Sequence, residues 1–161
     1  LTGLNQGADA YMEKPFSPEH LAAQIENLLR NREILRKAYV EKPSTPTQSL
    51  ASSPVDDRFL QKLNAYILEN LTNEHLSVEM IAGKMNMSNS SLYRKVKGIS
   101  GISPVDLIRI IRLKKAVELM HSGEKRINEI AFATGFSSPA YFSTSFQKQY
   151  GKSPSEFIKE L

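Results

Sequence analysis

The feature that most constrains the fold is an internal repeat of about fifty residues in the C-terminal part of the chain. Gly-Ile-Ser-Pro at 101–104 recurs as Gly-Lys-Ser-Pro at 151–154, an offset of 50, and the Ile-Ala pair at 81–82 recurs at 130–131, an offset of 49. Apolar residues between these marks fall in the same register, and neither copy has sustained two-residue alternation. Two copies of one helical unit predict an all-α fold with two similar subdomains.

Local chemistry predicts where the helices of each unit begin and end. A serine before a helix accepts a hydrogen bond from a free backbone N–H, and a proline suits the first helical position because an N–H there would have no partner. The expected caps are Ser77, Ser88, Ser103, Ser153 and either Ser137 or Ser138. A first helix is expected over about 57–71, and a long central helix from Ser103 to about His121 joins the units. Gly135 is expected at a turn that requires a positive φ.

Each unit has the pattern of a helix-turn-helix, in which a short apolar helix and a tight turn precede an amphipathic second helix. The second helix of the first unit is expected to bury Leu92 and Val96, and that of the second unit Phe146 with either Tyr141 or Phe142. The opposite faces carry small polar side chains, which fit the major groove of DNA. The pattern predicts a DNA-binding transcription regulator.

Positive charge is concentrated around the first unit. The net charge of the chain is +4, but residues 84–115 alone contain eight Lys and Arg against one acidic residue, Asp106. A surface that follows DNA phosphates needs such a segment, although a solvated basic face explains the charge by itself equally well. Free N–H groups at helix N-termini also attract anions. The predicted phosphate contacts are Lys84, Ser88, Lys95, Lys97, Ser137 and Lys148.

Arg94 is expected on the exposed face of the second helix of the first unit, where its guanidinium can donate two hydrogen bonds to guanine O6 and N7. The corresponding helix of the second unit offers no arginine on its polar face. We therefore expect the first helix to read bases directly and the second to contribute more to positioning and shape.

Residues 57–161 resemble the DNA-binding domain of the AraC/XylS family of transcription activators. The segments that carry the resemblance are IAGKMNMSNSSLYRKVK, RLKKAVELM and IAFATGFSSPAYFSTSFQKQYGKSPSEF. The resemblance implies two recognition helices in successive major grooves on one face of double-stranded DNA. It also implies that the base-reading residues are Asn89, Ser90, Arg94, Ser138, Pro139, Ala140, Ser143 and Thr144.

Residues 1–32 follow a different pattern. A short strand over 8–13 is expected to lead into Lys14-Pro15, and Ser17 is expected to cap a helix over about 18–32. The segment is similar to the last strand and last helix of a response-regulator receiver domain. That resemblance implies that Lys14 is the lysine that contacts the phosphoryl group and that Tyr11 is the aromatic switch residue. The phosphate-accepting aspartate of such domains has no counterpart in this chain.

Residues 41–56 are rich in proline, serine and threonine, and they predict a flexible linker. The linker would join a receiver remnant at 1–40 to the DNA-binding domain at 57–161. The intact protein is then expected to be a two-component regulator, either stand-alone or a hybrid that also carries sensor and kinase domains. Double-stranded DNA and RNA polymerase are its expected partners, in the cytoplasm, with a membrane anchor elsewhere in the protein if it is a hybrid.

The helix after Ser17 has an apolar face without a sheet to cover it, formed by Leu21, Ile25, Leu28 and Leu29. No helix breaker precedes Pro43, so the helix could extend to about Tyr39. We expect a homodimer, if one forms, to associate through residues 1–40, and residues 57–161 alone to be monomeric.

An enzyme is not expected. The chain has no cysteine, its three histidines are scattered, and it has no Gly-rich phosphate loop or nucleophile elbow. We therefore predict no catalytic residues, no metal, no cofactor and no small-molecule ligand. A protein-interaction module is the remaining rival, and it would expose aromatic residues or methionine on the faces assigned to DNA.

Overall fold

The computed structural model describes Lys14, residues 17–42 and residues 53–161. All regular structure in these ranges is α-helical, which confirms the all-α prediction for this part of the chain. The helices are α1 (Pro18–Glu41), α2 (Pro54–Glu69), α3 (Val78–Lys84), α4 (Asn89–Ser100), α5 (Pro104–His121), α6 (Ile127–Ala133), α7 (Pro139–Tyr150) and α8 (Pro154–Lys159). The strand predicted over 8–13, together with Tyr11, lies outside the described residues.

The serine caps form as predicted. Each hydroxyl accepts a hydrogen bond from the backbone N–H three residues later: Ser77 from Met80, Ser88 from Ser91, Ser103 from Asp106 and Ser153 from Glu156. Of the two alternatives for α7, Ser138 is the cap and accepts from the N–H of Tyr141 at 3.1 Å. The long helix α5 ends at His121, as predicted.

One predicted boundary differs from the structure. Helix α2 begins at Pro54 rather than 57, because Ser53 and Pro54 form the same cap-and-proline pair that opens α5. Helix α1 runs from Pro18 to Glu41, so of its two predicted extents the longer one, to about Tyr39, is confirmed. The segment between α1 and α2 is therefore shorter than the predicted linker over 41–56.

The core has two parts, which α5 connects. The first lies among the end of α1, α2, α3, α4 and the N-terminal half of α5, and its α5 members end at Ile111. The second begins on α5 at Leu113 and lies among α6, α7 and α8. Phe136, Phe142 and Phe146 pack edge to face in this second core, with ring centroids 5.2 and 5.7 Å apart. Since one continuous helix contributes to both cores, the two units are held on a common axis.

No helix in the described ranges is long and apolar enough to cross a membrane. Within the same residues, no three His, Asp or Glu side chains are grouped so that they could hold a metal ion.

Candidate nucleic-acid interface

Both units turn between their helices in the same way. Gly135 has a φ of +80° in the second unit, as predicted, and Asn86 has a φ of +54° in the first. The two positions are 49 residues apart, which is the offset of the repeat. After each turn the chain donates back to the preceding helix, Met87 N–H to Ala82 O at 2.9 Å and Phe136 N–H to Ala131 O at 3.0 Å. Asparagine tolerates the left-handed conformation better than most residues, so both copies can make this turn.

Helix α4 presents the predicted reading face to solvent. Leu92 and Val96 are fully buried on its inner side, and Asn89, Ser90 and Arg94 are exposed on the other. Arg94 has no ion pair or hydrogen bond with the part of the chain that the structure describes, so its guanidinium is available to a partner. Tyr93 is also exposed on this helix, with 48% of its surface accessible.

Helix α7 presents a less polar face. Phe142 is buried and Tyr141 is 53% exposed, which decides between the two residues that were alternatives for the core. Of the predicted base-reading residues, Ala140 and Thr144 are exposed, whereas Ser138, Pro139 and Ser143 are half-buried. The Thr144 hydroxyl donates to Ala140 O at 3.0 Å. Among the predicted base-reading residues, α7 therefore exposes fewer hydrogen-bonding groups than α4.

The predicted phosphate contacts lie in different surroundings. Ser88, Ser137, Lys97 and Lys148 are exposed. Lys84 Nζ lies 5.7 Å from the centre of the Tyr66 ring, and Lys95 Nζ lies 4.5 Å from that of Phe59. The second contact draws Lys95, which is half-buried, toward α2.

Not all the positive charge of residues 84–115 is available to DNA. Arg112 donates to Asn73 O at 2.7 Å, its Nε is buried without a partner among the described residues, and burial lowers its pKa. Lys114 is only 8% exposed. The sequence predicts a basic surface that includes Arg112 and Lys114, but both side chains lie in packing contacts between elements.

The two units also meet at the turn of the second unit. A side chain built on Gly135 would place its Cβ 1.9 Å from Leu71 O and 3.0 Å from Arg112 Nε. The glycine therefore permits the loop after α2 to approach the second unit closely. Beside this contact, a groove between the units is lined partly by Val78, Val105 and Tyr141.

Two helix-turn-helix units on one continuous helix define a class of paired helix-turn-helix proteins. A family model described as a helix-turn-helix domain matches residues 81–160. The C-terminal domain of AraT, a response regulator from Geobacillus stearothermophilus, is 36% identical with a TM-score of 0.59 over 68% of this chain and 87% of that chain. The DNA-binding domain of AdpA, a global transcriptional factor solved in complex with a target DNA, is 26% identical with a TM-score of 0.58 over 62% and 89% of the two chains.

A longer relative is a protein from Formosa agariphila named histidine kinase P4. It is 32% identical over 155 residues, which are 96% of this chain and 11% of that protein. The chain therefore spans about a tenth of this curated relative. From the family match, the shared fold and these identities, the chain belongs to the AraC family of transcription regulators and contains its DNA-binding domain.

Proposed function

We propose that this chain reads a specific DNA sequence with α4 and α7, which enter successive major grooves on one face of the duplex. The observation that carries the proposal is the matched turn geometry at Asn86 and Gly135, which leads both units into an exposed helix beside a basic surface. The similarity to the DNA-binding domain of AdpA, which was solved with its target, supports it. We propose three parts for the chain: a receiver remnant at 1–40, a linker at 41–56 and a DNA-binding domain at 57–161.

Direct base recognition falls mainly to α4. Asn89, Ser90 and Arg94 offer donors and acceptors, and Arg94 can bind guanine through two parallel hydrogen bonds. Of the predicted base-reading residues, α7 exposes Ala140 and Thr144, which suit contacts with thymine methyl groups and with the sugar-phosphate backbone. Each reading helix also exposes a tyrosine, whose hydroxyl can donate to a phosphate oxygen.

We further propose that the intact protein is a phosphorelay regulator, in which a receiver domain controls this output domain and the output domain contacts RNA polymerase. The similarity to the C-terminal domain of AraT, a response regulator, supports a receiver upstream. The match to the Formosa agariphila protein extends beyond the helix-turn-helix domain to 96% of this chain, and that protein is named a kinase, which supports a hybrid arrangement. We propose no catalytic role for the chain itself.

The test of DNA binding is selection of bound duplexes from a random library, followed by a salt titration on the selected site. Neutralising about five to eight phosphates predicts a slope of about −4 to −7 in log affinity against log salt concentration. An enriched sequence together with this slope supports the proposal. Failure to enrich any sequence, or a slope near zero, would leave the protein-interaction module as the better account, because the two exposed tyrosines suit such a surface.

We also propose that the N-terminal half of α1 joins two copies of the chain. Leu21, Ile25 and Leu29 are 38%, 48% and 55% exposed on one side of this helix. A second copy of the same stripe would cover these residues in a two-helix coiled coil. Ile25→Glu is expected to yield monomers by light scattering, because it would bury a charge in that contact. Ile34→Glu is the matched control, since Ile34 is 57% exposed on the opposite face and its replacement should leave the mass unchanged.

A further inference from the structure

The last turns of α1 lie against both helix-turn-helix units, a contact that the repeat does not predict. This helix packs on α4 of the first unit and on α7 of the second. Tyr39 near its end is fully buried and belongs to the first core. Tyr150, which packs against the second core, has a pKa raised by burial and, to a lesser extent, by the nearby Tyr39 phenol. Tyr39 therefore lies where the two units meet.

Hydrogen bonds from the central helix α5 and from α7 hold the C-terminal end of α1. The last carbonyls of a helix have no partner within it and favour a cation or another donor. Lys114 on α5 donates through Nζ to Tyr39 O and to Lys42 O, at 2.7 Å each. Gln149 on α7 donates through Nε2 to Val40 O, also at 2.7 Å. The end of α1 is thus bonded to the central helix and to the second reading helix together.

Lys114 lies on α5 just after the change from the first core to the second. The first core ends on this helix at Ile111 and the second begins at Leu113. Its ammonium lies 4.2 Å from the centre of the Tyr39 ring, and burial lowers its pKa to about 8. Burying an ammonium costs free energy unless it is hydrogen-bonded. The bonds between Lys114 and the carbonyls of α1 therefore stabilise both the buried charge and the end of the helix. Displacing the end of α1 would therefore disturb the junction between the units.

On the first unit, Arg36 makes the matching contact. Its Cδ lies so near Gly101, which ends α4, that a Cβ added there would be 2.9 Å away. Glu33 binds the guanidinium of Arg36 through two hydrogen bonds, at 2.5 and 3.0 Å, and so holds this side chain in place. The end of α1 therefore contacts the C-terminal ends of both reading helices, at Gly101 and at Gln149.

We propose that Tyr39, Lys114 and Gln149 form an inter-unit clamp that sets the distance between the two reading helices and so the half-site spacing that the protein prefers. These three are positioning residues, and none of them is assigned to DNA. The preference for one half-site spacing rests on the proposed function, whereas the clamp itself does not. Because α1 is one continuous helix, a movement imposed on its N-terminal half by an upstream domain would reach the clamp directly.

The clamp can be tested without DNA. The chain has no cysteine, so spin labels can be attached at Gly98→Cys on α4 and Lys148→Cys on α7, both of which are exposed. Pulsed electron paramagnetic resonance then measures the distance distribution between the reading helices. We expect one narrow distribution in the labelled parent and a broader or shifted one after Gln149→Ala or Lys114→Met. Lys115→Met is the matched control, because it removes the same charge from the next residue, which forms an ion pair with Glu118 at the surface.

Circular dichroism and a melting curve show whether each variant remains folded. Gln149→Ala removes a single hydrogen bond from a half-buried side chain, so it keeps the test valid if Lys114→Met unfolds the chain. A folded Gln149→Ala variant with the parent distribution would overturn the clamp. The distance measurement does not depend on whether the protein binds DNA. Failure to select a DNA site would count against the proposed function and not against the clamp.

The consequence for DNA is tested by changing the spacing between the two halves of the selected site. One inserted base pair adds about 3.4 Å and about 34° of rotation, and it should weaken the parent about five- to a hundredfold, the range caused by one mismatched pair. In Gln149→Ala this penalty should fall below about threefold. If Gln149 has a merely structural role, the variant should bind every spacing more weakly by the same factor, and the ratio of affinities for the selected and the lengthened site should not change. That result would overturn the assignment of half-site spacing to the clamp.

Discussion

Replacing Gly135 with alanine tests the close contact between the two units at the turn of the second. Two costs add at this position. The φ of +80° is a left-handed conformation that costs an L-residue about 1–2 kcal/mol. The new Cβ would also lie 1.9 Å from the backbone oxygen of Leu71, which cannot rotate away, so the units must separate slightly. Overpacking of this kind costs about 1–3 kcal/mol, which brings the expected loss of unfolding free energy to about 2–5 kcal/mol.

Two other glycines separate these costs. Gly151 has a φ of +74° but no atom within 4 Å of an added Cβ, so Gly151→Ala should cost only the conformational part, about 1–2 kcal/mol. Gly98 lies inside α4 with open space around it, and Gly98→Ala should stabilise the protein by about 0.5–1 kcal/mol. Urea denaturation followed by circular dichroism gives the free energy of unfolding for all three variants and the parent.

The difference in unfolding free energy between Gly135→Ala and Gly151→Ala shows whether the two units pack closely at this turn. Gly135→Ala should lose at least about 1 kcal/mol more than Gly151→Ala, because only Gly135 faces a backbone atom of the other unit. Equal losses would refute the close approach of Leu71 to the turn and with it the packing of the two units at this point. A stabilised Gly135→Ala would also refute the left-handed turn.

Two further predictions concern single side chains. Arg94→Ala should weaken binding to the selected duplex by about 1–3 kcal/mol and relax the preference at one base pair, as measured by titration against single-base variants of the site; equal weakening on all sequences would make Arg94 a phosphate contact. Burial lowers the pKa of Lys114 from 10.5 to about 8, so between these values the unfolded chain holds a proton that the folded chain has lost. Relative to Lys114→Met, the parent should therefore gain up to about 3 kcal/mol of stability as the pH rises through this window. Urea denaturation at several pH values measures this gain, and the same pH dependence in both proteins would contradict the prediction.

The DNA-binding fold could be predicted because its signals are local and repeated. Ser77, Ser88, Ser103 and Ser153 each cap a helix within three residues of themselves, and Gly135 satisfies a turn whose partner in the first unit is offset by the repeat. The choice between Tyr141 and Phe142 remained open because adjacent residues on a helix differ by 100° and both are apolar aromatics. Only the packing around α7 selects Phe142 for the core.

The docking of α1 could not be predicted, because its partners are distant in sequence. Lys114 and Gln149 lie 75 and 109 residues from the carbonyls of Tyr39 and Val40 that they bind. In the sequence Lys114 is one of eight basic residues in a segment, and nothing distinguishes it from its neighbour Lys115. Tyr39 is a signal in the sequence, because it is a large aromatic near the end of the predicted helix, but a helix pattern alone does not show which surface buries it.

The most direct test of the account is hydroxyl-radical footprinting of the chain on its selected duplex, because it reports which backbone positions are covered. Two reading helices in successive major grooves predict two protected patches on one face of the DNA, centred about ten base pairs apart. Arg94→Ala should leave both patches in place while weakening overall affinity. A single patch, or protection spread around the duplex without a ten-base-pair period, would contradict the assignment of α4 and α7 as paired reading helices.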